Sequence, residues 1–451
     1  MSEASTRTSD SEHNDALAAG ARAVDSKVGH KLSFFTICRQ VGLFTLPMVS
    51  SLGPTIPGAG YNLYRAVVVV IVLCSWVKPS GHLDRLARRV LLFSTVAVVW
   101  SLYLWFSREQ TTDGASEFIA LVVGSVLLTA SAAIKASARD VRIILSGWLV
   151  SYIFVFIVGA VEFLTGRTWD TGRVVEEEAG VSSVFYNPNL YSFFLVSVVP
   201  LMFVGRKYAQ HQALRIVYTI SIASAYVMIL ATKSTLGVIL MVTVALVFLG
   251  GRRIVVLLLF GQALLIASYF FFTPDSPGVG FISQWLHSSA SVDARFALCG
   301  VSFQAGVNAG FLGLGPAGIE PFLRQLGLTA DTYGLVNPHC GFGEIFSNYG
   351  IFVLLLLVWL LVEIFRIAWS GVRGEKGVRW TTARALLAST SIYVLMTTMN
   401  SSYIVPAITW SFLFAMIMLG RGGDLETRAV TAGPSVLRPQ NILVRGRGAT
   451  H

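Results

Sequence analysis

The chain has 451 residues, of which 54% are hydrophobic and 13% carry Asp, Glu, Lys or Arg, against about 25% charged in an ordinary soluble domain. The net charge of +10 sits mainly in short connections between apolar runs, so it marks orientation in a membrane and excludes a basic nucleic-acid-binding face. Four cysteines without a CxxC pair and seven histidines without HxxxH spacing exclude a metal-site framework, and neither a metal nor a cofactor is expected.

Residues 1–31 are rich in Ser, Ala, Asp, Glu and Thr and contain no apolar run, which predicts a disordered cytoplasmic tail. The rest reads as an all-α polytopic membrane protein. Twelve spans are expected at roughly 33–52, 62–78, 90–107, 117–135, 142–164, 188–205, 216–232, 236–251, 254–273, 346–365, 385–400 and 405–420. An even count returns both termini to one side. With the amino terminus inside, the cytoplasmic connections hold most of the bases, among them Arg85, Arg88, Arg89, Lys135, Arg139, Arg142, Arg206, Lys207, Arg366, Arg379 and Arg384. The longer outer connections hold few, so the positive-inside rule places both termini in the cytoplasm.

The largest outer segment, about 274–345, mixes apolar residues with helix-compatible runs (VDARFALCGVSFQAG, GIEPFLRQLG) and a GLGPAG hinge, which predicts two or three short helices capping the membrane domain. A second outer segment, about 165–187, carries Asp170, Arg173 and Glu176 to Glu178. The stretch from 421 to 451, with Arg421, Arg428, Arg438, Arg445 and Arg447, is expected as a disordered basic tail near anionic headgroups. No internal repeat is visible that would support an inverted-repeat transporter.

Ionisable residues in the outer segments are few enough to weigh singly. Arg295 opens an apolar helical stretch, where a guanidinium suits a phosphate by its bidentate geometry, or snorkels to the interface, or pairs with Asp293. His339 lies between a Pro and a Gly-rich run near the outer mouth of the bundle. Its imidazole suits proton transfer near neutrality, although a lone loop histidine is more often an ordinary surface or capping residue. Glu344 either orients that imidazole or makes a cap or interhelical hydrogen bond, the reading the residues favour. Asn187-Pro188-Asn189 stands at the start of a span, where capping alone explains it. Cys299 and Cys340 both fall outside and either form a disulfide or, the reading favoured by the residues alone, remain two buried thiols. The first outer loop, 51–61, holds no acid, and no Asp-x-Asp occurs in an outer segment, so metal-dependent transfer has little support.

Three segments in order, within about 180–400, resemble the O-antigen ligase/polymerase superfamily of bacterial envelope glycosyltransferases, most closely its teichuronic-acid-polymerase-like branch. FYNPNLYSFFLVSVVP is similar to that family's Asn-Pro-Asn start of a span, RFALCGVSFQAGVNAGFLGLGPAG to its Arg-led helix and Gly-rich turn, and NPHCGFGEIFSNYGIFVLLL to its His-led segment. The resemblance implies that residues 32–420 form a metal-independent, inverting transferase in the bacterial cytoplasmic membrane, its active site facing outside. It would pass a saccharide from an undecaprenyl-diphosphate donor to a glycan acceptor, with other envelope polysaccharide assembly proteins as further partners. Arg295 would bind the leaving diphosphate and His339 would act as base or orient the acceptor. The chain departs from the family at a second cation: the usual Ser-Arg pair is Ser234-Thr235 here, so Lys233 or Arg65 would have to serve. Asn187, Asn189 and Glu344 complete the tentative substrate-binding set. Polymerisation of lipid-linked repeat units is the leading expectation, ligation of a finished glycan its nearest alternative, and a transporter or lipid-linked oligosaccharide flippase the alternative of another class.

Overall fold

A computed structural model of the chain describes residues 34–52, 59–77, 83–108, 114–168, 180–185, 187–250, 290–325, 340–372, 377–395 and 404–431, with isolated positions between them; the side chains of 290–297 and 423–431 lie outside this description. Among the described residues the fold is all-helical: α1 (Phe34–Leu52), α2 (Ala59–Trp76), α3 (Arg85–Ser107), α4 (Gly114–Ala133), α5 (Ala138–Thr165), α6 (Pro188–Tyr208), α7 (Gln212–Ala231), α8 (Thr235–Leu249), α9 (Ala290–Asn308), α10 (Ile319–Gln325), α11 (Gly341–Gly371), α12 (Val378–Leu395) and α13 (Ala407–Thr431), with one 3-10 turn at Ser183–Phe185. Six of these, α3 to α7 and α11, are long and apolar enough to cross a membrane, and 60–76, 235–249 and 407–422 form shorter apolar helices. The chain is therefore a polytopic helical membrane protein. A helix occupies eleven of the twelve expected spans; the ninth, 254–273, falls almost wholly outside the described residues. Large apolar side chains such as Leu73, Val99, Phe106, Ile157, Val227 and Leu355 point outward. That would be a liability in water and is the normal dress of a surface bathed in lipid.

The helices pack around α6, which is buried on nearly all sides. Its Phe193 and Phe194 meet Trp148 of α5 and Phe412 of α13. Two ends of the bundle differ in the charge they bury. At one end Arg421 of α13 pairs with Asp84 at 2.7 Å and donates to the last carbonyls of α4, at Ser131, Ala132 and Ile134. Arg384 of α12 closes the end of α8 by donating to the carbonyls of Val247 and Phe248. Glu363 of α11 holds Arg89 of α3 at 2.8 Å and Arg366 at 2.6 Å. Arg421 and Arg384 satisfy carbonyls at helix ends that have no intrahelical partner, while Arg89 and Arg366 are held by the Glu363 carboxylate, and these partners are why charge is tolerated there.

One expectation is corrected at this end. Arg421 is not part of a tail: α13 continues to Thr431, past the expected end at 420, and Arg421 is buried, because the terminal carbonyls of α4 need its donors. Arg39, inside the first span, is paired. It donates to Asp140 at 3.1 Å, and the same carboxylate accepts from the Ser137 hydroxyl in the capping box of α5.

The opposite end buries carboxylates. Here α11 is broken at Gly350, whose φ of 79° and ψ of −179° only glycine adopts readily. The break frees backbone groups that the turn after α9 satisfies: Leu314 N–H donates to Ser347 O at 2.8 Å, Gly315 N–H to Asn348 O at 2.9 Å, and Ile351 N–H to Phe311 O at 2.9 Å. The Gly-rich GLGPAG run, read from sequence as a hinge, is thus the turn that docks on the break in a helix. A Cβ at Gly350 would sit 2.5 Å from Leu312 O. Gly350→Ala is expected to cost about 2–3 kcal/mol, since it meets both a forbidden dihedral region and a backbone atom. Thermal unfolding of the detergent-solubilised protein measures it, and an unchanged transition would mean that the break can relax into continuous helix.

Candidate active site

The carboxylate-rich end holds the sequence-predicted residues that are described, and all but Arg65 fall in two groups. The first surrounds the start of α6. Pro188 occupies the first helical position, where its missing N–H costs nothing, and the Asn187 side chain accepts from Asn189 N–H at 2.8 Å. Capping therefore does account for Asn187. Asn189 does more: its side-chain oxygen accepts from the Ser234 hydroxyl at 3.2 Å, and Ser234 is itself the cap of α8, receiving Gly237 N–H at 3.3 Å. Two helix amino termini, those of α6 and α8, are stitched together at their first residues, and their dipoles add on the same side.

Lys233 sits directly at this junction. It is exposed and holds a left-handed backbone with φ of 54°, uncommon for a residue with a Cβ. The three-residue connection between α7 and α8 enforces that conformation. It leaves Lys233 exposed beside the paired amino termini, a setting that favours anions.

The chain reaches Asn187 under the control of Glu162, near the end of α5 and absent from the predicted site. Its buried carboxylate accepts from the N–H and hydroxyl of Ser182 at 3.0 and 3.1 Å and from Ser183 N–H at 2.7 Å, while Val181 N–H donates to Ala231 O at 3.0 Å. Glu162 thus fixes the segment that leads into α6 against the turn that carries Lys233.

The second group surrounds the start of α11. Cys299 of α9 and Cys340, the residue before α11, are joined in a disulfide with Cα atoms 5.1 Å apart. This corrects the reading of two separate thiols; sequence alone carried no information that α9 folds back against α11. Gly306 and Phe346 pack close behind the bridge, a proximity the same fold-back creates. Arg295 lies in α9 one helical turn before Cys299, which places the two on one helix face; its side chain is outside the described residues. His339 falls outside the described residues. Glu344 is buried in the first turn of α11 and accepts at 2.7 Å from the hydroxyl of Ser402, which lies in the connection between α12 and α13, so the bond ties a helix to a connecting segment rather than joining two helices.

A third buried acid, Glu117 of α4, also escaped the sequence reading. It accepts from Asn348 Nδ2 at 2.9 Å and Ala317 N–H at 3.1 Å, while Asn348 Oδ1 accepts from Ile319 N–H at 3.0 Å. The turn between α9 and α10 is thereby latched to α4 and α11 together. Glu117, Glu162 and Glu363 each interrupt an apolar run, and an acid inside a span is the signal that would have found them. Arg65 is not joined to either group: its guanidinium donates to Asn62 at 3.2 Å, one turn away on α2, and α2 packs against α1 and α4.

The arrangement offers a cation beside two helix amino termini, an Arg-bearing helix covalently tied to the amino terminus of α11, and hydrogen-bonded acids that hold these elements in place. Among the described residues no cluster of His, Cys, Asp or Glu has the composition to hold a metal ion. Comparison with protein-family models gives no match, and comparison with curated proteins gives none.

Proposed function

We propose that this protein is a membrane glycosyltransferase that polymerises undecaprenyl-diphosphate-linked repeat units into an envelope or secreted polysaccharide, at the end of the bundle that faces away from the cytoplasm. The observation that carries the reading is the Cys299–Cys340 bridge, because it ties the helix of Arg295 to the residue that follows His339. On this reading Arg295 serves as the diphosphate-binding cation and His339 as the proton acceptor of one site. Burial of arginines at the other end of the bundle supports the orientation, with both termini cytoplasmic.

On this reading a leaving diphosphate gains charge as the glycosidic bond breaks. Arg295 stabilises it with fixed donors, and Lys233 adds a point charge beside the amino termini of α6 and α8. His339 takes the proton of the attacking acceptor hydroxyl, while Asn187 and Asn189 shape the turn beneath the donor. Glu344, satisfied by Ser402, positions the first turn of α11. The acceptor oxygen attacks the anomeric carbon from the face opposite the diphosphate, which gives inversion. Arg65, which hydrogen-bonds within its own helix, has a weaker case than Lys233.

The size distribution of lipid-linked and envelope glycan, in cells with and without the protein, tests the proposal. Single repeat units left on the lipid carrier are expected in its absence. Long glycan stranded on the carrier would assign ligation instead, and units trapped on the cytoplasmic face would assign flipping. His339→Ala is expected to lower turnover roughly 100-fold with little change in donor binding, as loss of a general base does. Unchanged turnover in membranes with matched protein levels would reduce His339 to a structural residue.

A further inference from the structure

At the arginine-rich end, a shallow open depression of about 290 Å³ lies between α1 and α5, lined by Phe44, Arg139, Arg142, Ile143 and Ser146. Among the described residues its cations have no carboxylate partner. The nearest acid, Asp140, already holds Arg39 at 3.1 Å and Ser137 at 2.8 Å. Among the described residues neither Arg139 nor Arg142 is ion-paired, and Arg142 donates from Nε to Ala138 O at 3.3 Å, leaving its terminal nitrogens for another acceptor.

The depression continues as an apolar stripe. Beyond Ile143 and Ser146, α5 exposes Val150 and Ile153 at three- and four-residue steps, on one helix face. Phe44 of α1 borders this face, and Ile220 is exposed on α7, which packs against α5. From Arg142 to Ile153 the stripe runs about 16 Å at the helical rise, close to the depth of one leaflet of a hydrocarbon core of ~30 Å.

We propose that this groove binds one anionic glycerophospholipid, its phosphate held by Arg139 and Arg142 and one acyl chain laid along Ile143, Ser146, Val150 and Ile153. Two guanidiniums above an exposed apolar stripe select a net-negative headgroup attached to a chain, rather than a zwitterionic lipid or a soluble phosphate. The site is independent of the proposed transferase activity.

Native mass spectrometry of the full chain, released from nanodiscs of phosphatidylglycerol or of phosphatidylcholine, tests this. The wild type is expected to retain one phosphatidylglycerol and no phosphatidylcholine. Arg139→Gln/Arg142→Gln is expected to weaken retention roughly 30-fold, the conversion of about 1 kcal/mol of surface electrostatic attraction for each of the two arginines. Arg206→Gln/Lys207→Gln, which removes a basic pair outside the groove, should retain lipid like the wild type. Equal retention of both lipids, equal retention by the Arg139/Arg142 variant, equal loss in the Arg206/Lys207 variant, or displacement by millimolar glycerol 3-phosphate alone would each overturn the proposal. Matched unfolding temperatures of the variants in detergent exclude a folding defect as the cause of lost lipid.

Discussion

Arg295→Ala is expected to lower glycan transfer at least about 100-fold while the protein stays in the membrane at wild-type level. The size of the effect follows from where charge develops. A diphosphate ester that leaves without a metal must be neutralised by fixed donors, and removal of one such donor typically costs a factor of 10²–10³. Arg295→Lys restores the charge without the planar fork, so only part of the loss should return. Lipid-linked single repeat units should accumulate in the Arg295→Ala strain as they do in the null strain. Normal polymer from that strain would remove Arg295 from the chemistry and, with it, the main cation of the proposed mechanism. Cys299→Ser with Cys340→Ser provides a companion measurement, because loss of the bridge should lower turnover without touching either reacting group.

The largest structural effect is expected at the other end of the bundle, from Glu363→Ala. Glu363 is 1% exposed and Arg89 7%, and they meet at 2.8 Å between α11 and α3. Arg89 also donates to Trp359 O at 3.1 Å and lies over the Trp359 ring at 4.1 Å, so it has no easy route to water. Removing the carboxylate leaves a buried guanidinium without its counter-charge, a change worth about 3–5 kcal/mol. Arg366 and Arg85 contribute little to this figure because both are more than half exposed and can pair with headgroups or solvent. The loss should appear as a lowered unfolding temperature in detergent, and Arg89→Met/Glu363→Leu should recover most of it by replacing the ion pair with apolar volume. If the double variant is as unstable as Glu363→Ala, the pair acts through something other than its burial.

Membrane residence and the helical spans follow from composition and apolar run length, because a hydrocarbon core leaves the backbone few alternatives to helix. The caps are also legible: Asn187-Pro188 opens α6, and Ser234 closes the amino terminus of α8 by the local chemistry of Pro, Asn and Ser. What composition could not reveal are the pairings between elements far apart in sequence. Glu117 and Asn348 are separated by 231 residues, and Arg421 and Asp84 by 337, so neither pair leaves a local pattern. Arg421 read as part of a basic tail because its partners, the last carbonyls of α4, are backbone atoms that every residue possesses.

The sequence by itself determined that the chain is an apolar helical membrane protein, where most helices begin and end, and that charge is scarce and placed at their termini. Each of these rests on interactions within a turn or two of chain, or on transfer of side chains from water to lipid. Only the tertiary structure decided which charges meet, that Cys299 reaches Cys340, and that α11 breaks at Gly350 to receive the turn after α9. Those outcomes depend on which helix faces lie together, and in lipid that is set by close packing and buried hydrogen bonds rather than by hydrophobicity, which every face of these helices shares.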